Sequence, residues 1–188
     1  VGLNKISIVA IKLESEGINY KDISIYYEPK ILVRKTGVGI TATIDYSSSL
    51  TNQVVYMFRP KSRGRNQPSL ELILAIINSR VMYYYLTKKY GETEWRSHPY
   101  LTQKQVLDLP LPDLKNSLAK ALQRKIFSLL KPYLRNKNGI PSYIDAKIEN
   151  YIAKLYVLSE NDYEVIYKTL DSSQDLLPVK ALKQISTR

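Results

Sequence analysis

Two short stretches of this 188-residue chain hold the side chains best suited to meet an anion. The first, residues 59–68, sets Arg59, Lys61, Arg63 and Arg65 around a glycine. Such a segment has no apolar face to bury, so its cations must stay in solvent or sit on an anion. The second, residues 91–101, holds the only tryptophan and the only histidine, with Trp95, Arg96, Ser97 and His98 consecutive. Aromatic rings beside a guanidinium, with no apolar periodicity, suit a loop that contacts or stacks on bases. A loop anchored by one buried tryptophan has the same composition; Trp95 is read as that anchor and Arg96, Ser97 and His98 as contacts. A third group, Arg34, Lys35 and Thr36, follows the apolar run Ile31-Leu32-Val33, which delivers it to the end of a strand.

Other chemistries are excluded by what is missing. Cysteine is absent and His98 is the only histidine, so disulfides, thiolate zinc sites and a histidine-paired nucleophile are ruled out. Pro112-Asp113 followed by Asp145-Ala146-Lys147 imitates the sparse carboxylate and lysine pattern of metal-dependent nucleases. That site needs carboxylates on adjacent strands, whereas Asp113 is expected to open one helix and Asp145 to cap another. No catalytic, cofactor-binding or metal-binding residue is therefore assigned.

The formal net charge is +11, and a polyanion is the usual partner for such an excess. Residues 1–27 carry three basic and three acidic side chains, residues 28–107 twelve and five, and residues 108–188 thirteen and nine. The middle third is where an anion would dock. In the last third the charges are interspersed along helices and read as a solvated surface.

The elements that must position these groups follow from periodicity. Residues 4–13 alternate as a strand, and residues 22–36 read as extended again, with Pro29 marking a bend or edge. Residues 40–46 alternate too, presenting Thr41, Thr43 and Asp45 on one face as an antiparallel partner for 31–36. A small polar loop, which includes Asn52, leads past Gln53 to a third strand at 54–58. The longest helical pattern runs from Pro68 to Gly91, with Leu70, Ile73, Leu74, Ile77, Val81 and Tyr84 at core spacing. It is expected to pack under the sheet. Leu-Pro-Leu-Pro at 109–112 is a rigid extended connector. Helices are expected from Asp113 to Pro132, from a Ser142/Asp145 capping box, and from Ser159/Asp162 over 160–170, with a loose end to residue 188.

The architecture expected is α+β: a small, twisted, mostly antiparallel sheet packed on a long helix, followed by a helical C-terminal part. Residues 1–110 would form a domain carrying the candidate anion-binding groups and residues 111–188 a helical C-terminal region. No apolar run is long enough to span a bilayer and no signal peptide is evident, so a soluble cytoplasmic protein with no membrane partner is expected. A chain opening on Val1 without a methionine is expected to be a fragment.

Three pieces taken in order carry a resemblance. They are ILVRKTG at 31–37 followed by ATID at 42–45; LELILAIINSRVMYYYL at 70–86 followed by the Trp-Arg loop and DLPLP at 108–112; and IDAKIENYIAKLYVLSENDYEVI at 144–166. Over roughly residues 20–170 the chain resembles the TaqI-like C-terminal specificity domain, the target recognition domain of adenine-specific DNA methyltransferases and fused restriction-modification enzymes of bacterial type. The resemblance implies a non-catalytic module that reads a short duplex sequence from the major-groove side. A separate domain, in the same or another chain, would bind S-adenosylmethionine and methylate adenine, with a nuclease domain as a further partner in fused enzymes. The Asn/Asp-Pro-Pro-Tyr/Phe tetrapeptide and glycine-rich cofactor motif of that catalytic domain are absent here, so the chain reads as the recognition half without a cofactor of its own.

Cations neutralise phosphates and supply affinity without sequence choice, which suits Lys35, Lys61, Arg63 and Arg65. Base edges need forked donors or amides, which suits Arg34, Asn52, Gln53, Arg96 and His98, with Thr41 and Thr43 as weaker contacts and Thr36 and Ser97 beside them. Two other readings compete. The leucine-rich helices after 113 would serve a protein interaction or oligomerisation module, and the sixteen tyrosines a single-strand binder. Most of the tyrosines fall where a core is expected.

Overall fold

The computed structural model describes residues 23–37, 40–59, 66–90, 100–135 and 139–171. Three antiparallel strands, β1 Lys30–Arg34, β2 Ala42–Asp45 and β3 Val55–Phe58, form one sheet in the order β2-β1-β3. Among the described residues six α-helices follow: α1 Leu70–Ile77, α2 Arg80–Tyr90, α3 Gln103–Leu107, α4 Ser117–Leu130, α5 Ser142–Leu155 and α6 Glu160–Asp171. The fold class is α+β, as the periodicity indicates. The strand expected at 4–13, the Gly91 stop and the end after residue 171 lie outside the described residues.

Register follows from which side chains can be buried. Ile31 pairs with Ile44 and Phe58, and Val33 with Ala42 and Tyr56. Strand side chains alternate between faces, so these rows share the face packed on α1 while Leu32, Thr43 and Met57 share the other. A one-residue slip would turn the fully buried Ile31 and Val33 outward.

One expectation at the N-terminal side of the sheet is corrected: Ile23–Tyr26 is a short 3-10 helix rather than extended chain. Pro29 follows a bend at Glu28 and precedes the central strand; just outside the pairing, its missing N–H removes no ladder bond. Lys30 begins that strand with 0% of its surface exposed. Its ammonium donates to the Tyr26 carbonyl (3.0 Å) and the Ser47 carbonyl (2.8 Å) and pairs with Asp45 at 2.6 Å. A lysine counted in the basic middle third is thus internal and neutralised. Burial would raise the Asp45 pKa, but the bonds from Lys30 and Ser47 outweigh it and hold the carboxyl below its ordinary value.

The long helix expected over 68–91 is two helices. Asn78 ends α1: its Oδ1 accepts from Ala42 N–H (2.8 Å), while its amide donates to the Ala42 carbonyl (3.0 Å) and the Leu74 carbonyl (3.1 Å). One side chain thus caps a helix and extends the β2 edge. Ser79 opens α2 by accepting from Met82 N–H at 3.1 Å. The Glu149 carboxylate, arriving from α5, accepts from Arg80 N–H (3.1 Å) and Val81 N–H (3.4 Å). An anion at a helix N-terminus satisfies donors that have no partner within the helix.

The C-terminal helices also depart from the reading. Asp113 does not cap α4; its Oδ1 accepts from Lys115 N–H (2.9 Å) in a local turn, and Asn116 caps the helix through Ala119 N–H (2.6 Å). Asp145 does not cap α5, which makes no side-chain cap bond, because its carboxylate turns to the Arg80 guanidinium. Ser159 and Asp162 do form the expected reciprocal cap on α6. The helix α3 was not anticipated, although Thr102 and Gln105 cap it in the Ser/Thr-x-x-Glu/Gln pattern.

A single apolar cluster runs from Ile31 and Val33 through Leu72, Ile76 and Leu86 to Ile126, Leu130, Ile152 and Leu170, so residues on both sides of the 109–112 connector share one core. Among the described residues no helix is long and apolar enough to cross a membrane.

Candidate nucleic-acid interface

Because β2 and β3 both run antiparallel to β1, the C-terminal end of β1 meets the N-terminal ends of both neighbours. Arg34 N–H donates to the Thr41 carbonyl (3.0 Å) and Lys35 N–H to the Val54 carbonyl (3.1 Å). This gathers Arg34, Lys35, Thr36, Thr41, Asn52 and Gln53 at one end of the sheet. Thr43 lies further along the face away from α1, opposite Leu32. All are exposed except Lys35, which is half-buried. No described carboxylate pairs with Arg34 or Lys35. The sheet's own acid, Asp45, is at the opposite end.

Local chemistry shapes this end. Gly37 has φ +107°, and a Cβ there would lie 2.3 Å from Arg34 Nη2. The glycine therefore permits both the turn and the close approach of the guanidinium. Asn52 Oδ1 accepts from Val54 N–H (3.1 Å), an Asx turn that launches β3. That oxygen serves the fold, which leaves the amide hydrogens for an outside acceptor; Gln53, beside it, is exposed.

Two tyrosines missed in the sequence complete the cluster. Lys35 Nζ lies 4.5 Å from the centre of the Tyr56 ring. Thr36 bridges to Tyr100, and Leu101 N–H donates to the Lys35 carbonyl (2.7 Å), so the chain at 100–101 takes over from β3 as the neighbour of β1. Burial, then the neighbouring Tyr100 hydroxyl, holds the Tyr56 pKa above its ordinary value. In the sequence Tyr56 merges with the apolar alternation of its strand, and Tyr100 follows the more conspicuous Trp95, Arg96 and His98.

The structure does not bring every cation to this end. Arg59 is exposed and follows β3, whose last residue Phe58 pairs with Ile31, so it leaves from the Lys30 end of the sheet. Lys61, Arg63, Arg65, Arg96, Ser97 and His98 lie outside the described residues. Elsewhere, Lys88 and Lys89 rim α2 over the Tyr84, Tyr85 and Tyr90 rings, and Lys89 donates to the Tyr85 hydroxyl at 2.7 Å. Tyr83 is buried as expected, while Tyr84 and Tyr85 are half-buried.

A second polar group is wholly internal. Arg80, 4% exposed, meets Asp145 and Glu149 (3.3 Å), and Glu149 is 3% exposed. Burial opposes the charge on Arg80, but Asp145 and Glu149 more than offset it and raise its pKa. Burial raises the Glu149 pKa against the pull of Arg80. A groove of about 820 Å³ runs beside this group between α5 and α6, lined by Ala146, Ala153, Leu158, Tyr163 and Tyr167 among others. The described residues contain no cluster of His, Cys, Asp or Glu able to hold a metal ion.

The chain matches the family model of the TaqI-like C-terminal specificity domain over residues 5–111. That span contains the sheet, α1, α2, α3 and all the contact residues singled out in the sequence. No curated protein matches the chain.

Proposed function

The chain belongs to the TaqI-like C-terminal specificity domain family, and from that premise we propose that it is a non-catalytic DNA target-recognition module of a restriction-modification enzyme or adenine-specific methyltransferase. It binds duplex DNA and positions it for a separate domain that holds S-adenosylmethionine and carries out methyl transfer. The observation that carries this reading is the gathering of Arg34, Lys35, Thr36, Thr41, Asn52 and Gln53 at one solvent-facing end of the sheet, away from Asp45. Lys35 suits a phosphate. Arg34 and Gln53 have the forked or amide donors that a base edge requires. Lys61, Arg63, Arg65, Arg96, Ser97 and His98 are assigned as further DNA contacts from the sequence alone.

The interaction-module reading is less well supported. The apolar stripe of α4, Ala119, Leu122, Ile126 and Leu130, is buried within this chain rather than offered to a partner. Fluorescence anisotropy with a labelled random-sequence duplex at several salt concentrations tests the proposal. Affinity should fall with salt by a log-log slope of about −0.9 for each phosphate neutralised. Unlabelled duplex should compete better than the corresponding single strand. Absence of duplex binding even at low salt, with the protein folded, would overturn the reading.

A further inference from the structure

We infer that Gly37 is a positioning residue for Arg34: the space left by its missing side chain seats the guanidinium at the end of the sheet and aims its donors at a guanine in the bound duplex. This rests on the DNA-recognition reading and adds to it the base that Arg34 selects and the residue that aims it.

Contact is the first support. A Cβ at Gly37 would lie 2.6 Å from Arg34 Cζ and 3.0 Å from Nε, and nearer still to Nη2, so the guanidinium occupies the space that a side chain there would take. Both partners are fixed through the backbone. Arg34 N–H is bonded to the Thr41 carbonyl, and the turn toward Gly37 is held by Lys35 N–H on the Val54 carbonyl, Leu101 N–H on the Lys35 carbonyl and the bridge of Thr36 to Tyr100. A long side chain resting on a fixed wall has less freedom to lose on binding than one free in solvent.

Unmet donors are the second support. Among the described residues no hydrogen bond or ion pair engages the Arg34 guanidinium, and its side chain is exposed. All its N–H groups are therefore open to an outside acceptor. Strand alternation sets Arg34 on the face of Leu32 and Thr43, away from α1, whereas Lys35 Nζ lies 4.5 Å from the ring centre of Tyr56, on the α1 face. The two adjacent cations are thus separated, and the threonines on Arg34's side carry no charge. A phosphate accepts a cation from many directions; a planar fork held in one place matches the paired O6 and N7 acceptors of guanine.

The test begins with sequences enriched from a random duplex pool by the full chain, which give the positions where guanine is required. Replacing each such guanine by a deaza analogue lacking N7 should weaken wild-type binding about ten- to a hundredfold at one position, and should not weaken Arg34→Ala further. Gly37→Ala should bring the four base pairs at that position to similar affinity while leaving the salt slope on random-sequence duplex, which counts phosphates, unchanged. Gly37→Asn should do the same, because asparagine tolerates positive φ better than most residues yet still carries a Cβ. Added to Arg34→Ala, where nothing occupies the seat, Gly37→Ala should cost no further discrimination. Retained discrimination in both Gly37 variants would overturn the positioning role. So would equal loss at every position, further loss on top of Arg34→Ala, or failure of both variants to fold by thermal melting, each of which would show that the glycine serves the turn alone. If Arg34→Ala lowers the salt slope by about one and no guanine depends on it, Arg34 is a phosphate contact; the inference falls and the recognition function stands. If wild-type protein binds no duplex, both fall.

Discussion

Arg34 and Arg80 lie in the same family-matched half of the chain and count equally toward its +11 charge, yet they occupy opposite physical situations. Arg34 closes the central strand, is exposed, and folds across Gly37 with no described carboxylate beside it. Arg80 opens α2 in the core between Asp145 and Glu149. Both sit where one element meets another. The difference lies in what can be desolvated: a buried guanidinium must be matched by carboxylates, whereas an exposed one keeps its hydration until a ligand replaces it. The count of cationic side chains thus overstates what is available to a polyanion, because Arg80 and Lys30 are neutralised inside the fold.

The strongest way to break this comparison is Glu149→Ala, which removes one of Arg80's two carboxylates and the anion over the α2 N-terminus. It should destabilise the protein by ~3–5 kcal/mol, read as a fall in denaturant midpoint. A loss below about 1 kcal/mol would mean that the interior pair is no different from a surface pair. Next, Asn78→Ala unties α1 from the β2 edge and should remove ~1–3 kcal/mol, since it leaves the Ala42 backbone groups without that partner. Conversely, Arg34→Ala should change stability by no more than ~0.5 kcal/mol while weakening duplex binding by ~1–3 kcal/mol. Equal effects on folding and binding would erase the contrast between the two arginines.

The smallest effect belongs to the exposed cap of α6. Ser159→Ala should reduce stability by ~1 kcal/mol. The bonds from Ser159 hold the Asp162 carboxyl below its ordinary value of 3.8. A depressed carboxyl pKa contributes stability that is present above pH 3.8 and is lost as pH falls through the folded-state value. Ser159→Ala should therefore narrow its stability deficit in acid, as measured by denaturation at neutral pH and below pH 3.8.

Much of the fold was legible because it depends on short-range pattern. The alternation at 31–33 and 42–44 fixed the β1–β2 pairing, and Ser159 with Asp162 fixed the start of α6. The candidate surface was legible in part for the same reason, since Arg34, Lys35 and Thr36 follow the buried strand. What failed involved a distant competitor. Asp145 at a helix start looks like a cap, but Arg80, 65 residues earlier, offers its carboxylate a full charge in the interior. Asn78 sits within an unbroken apolar periodicity, and only Ala42, 36 residues away, gives it reason to end the helix.

By itself the sequence determined that this chain is α+β, that its positive excess falls in the middle third, and that the apolar faces of its helices must be buried, because these depend on residue type and spacing along the chain. Only the tertiary structure decided which cations remain in solvent, that one apparent helix is two, and that Tyr56 and Tyr100 meet beside Lys35. Burial and hydrogen-bond partnership are properties of neighbours in space, and those neighbours are set when β2, β3 and the chain at 100–101 are laid against β1.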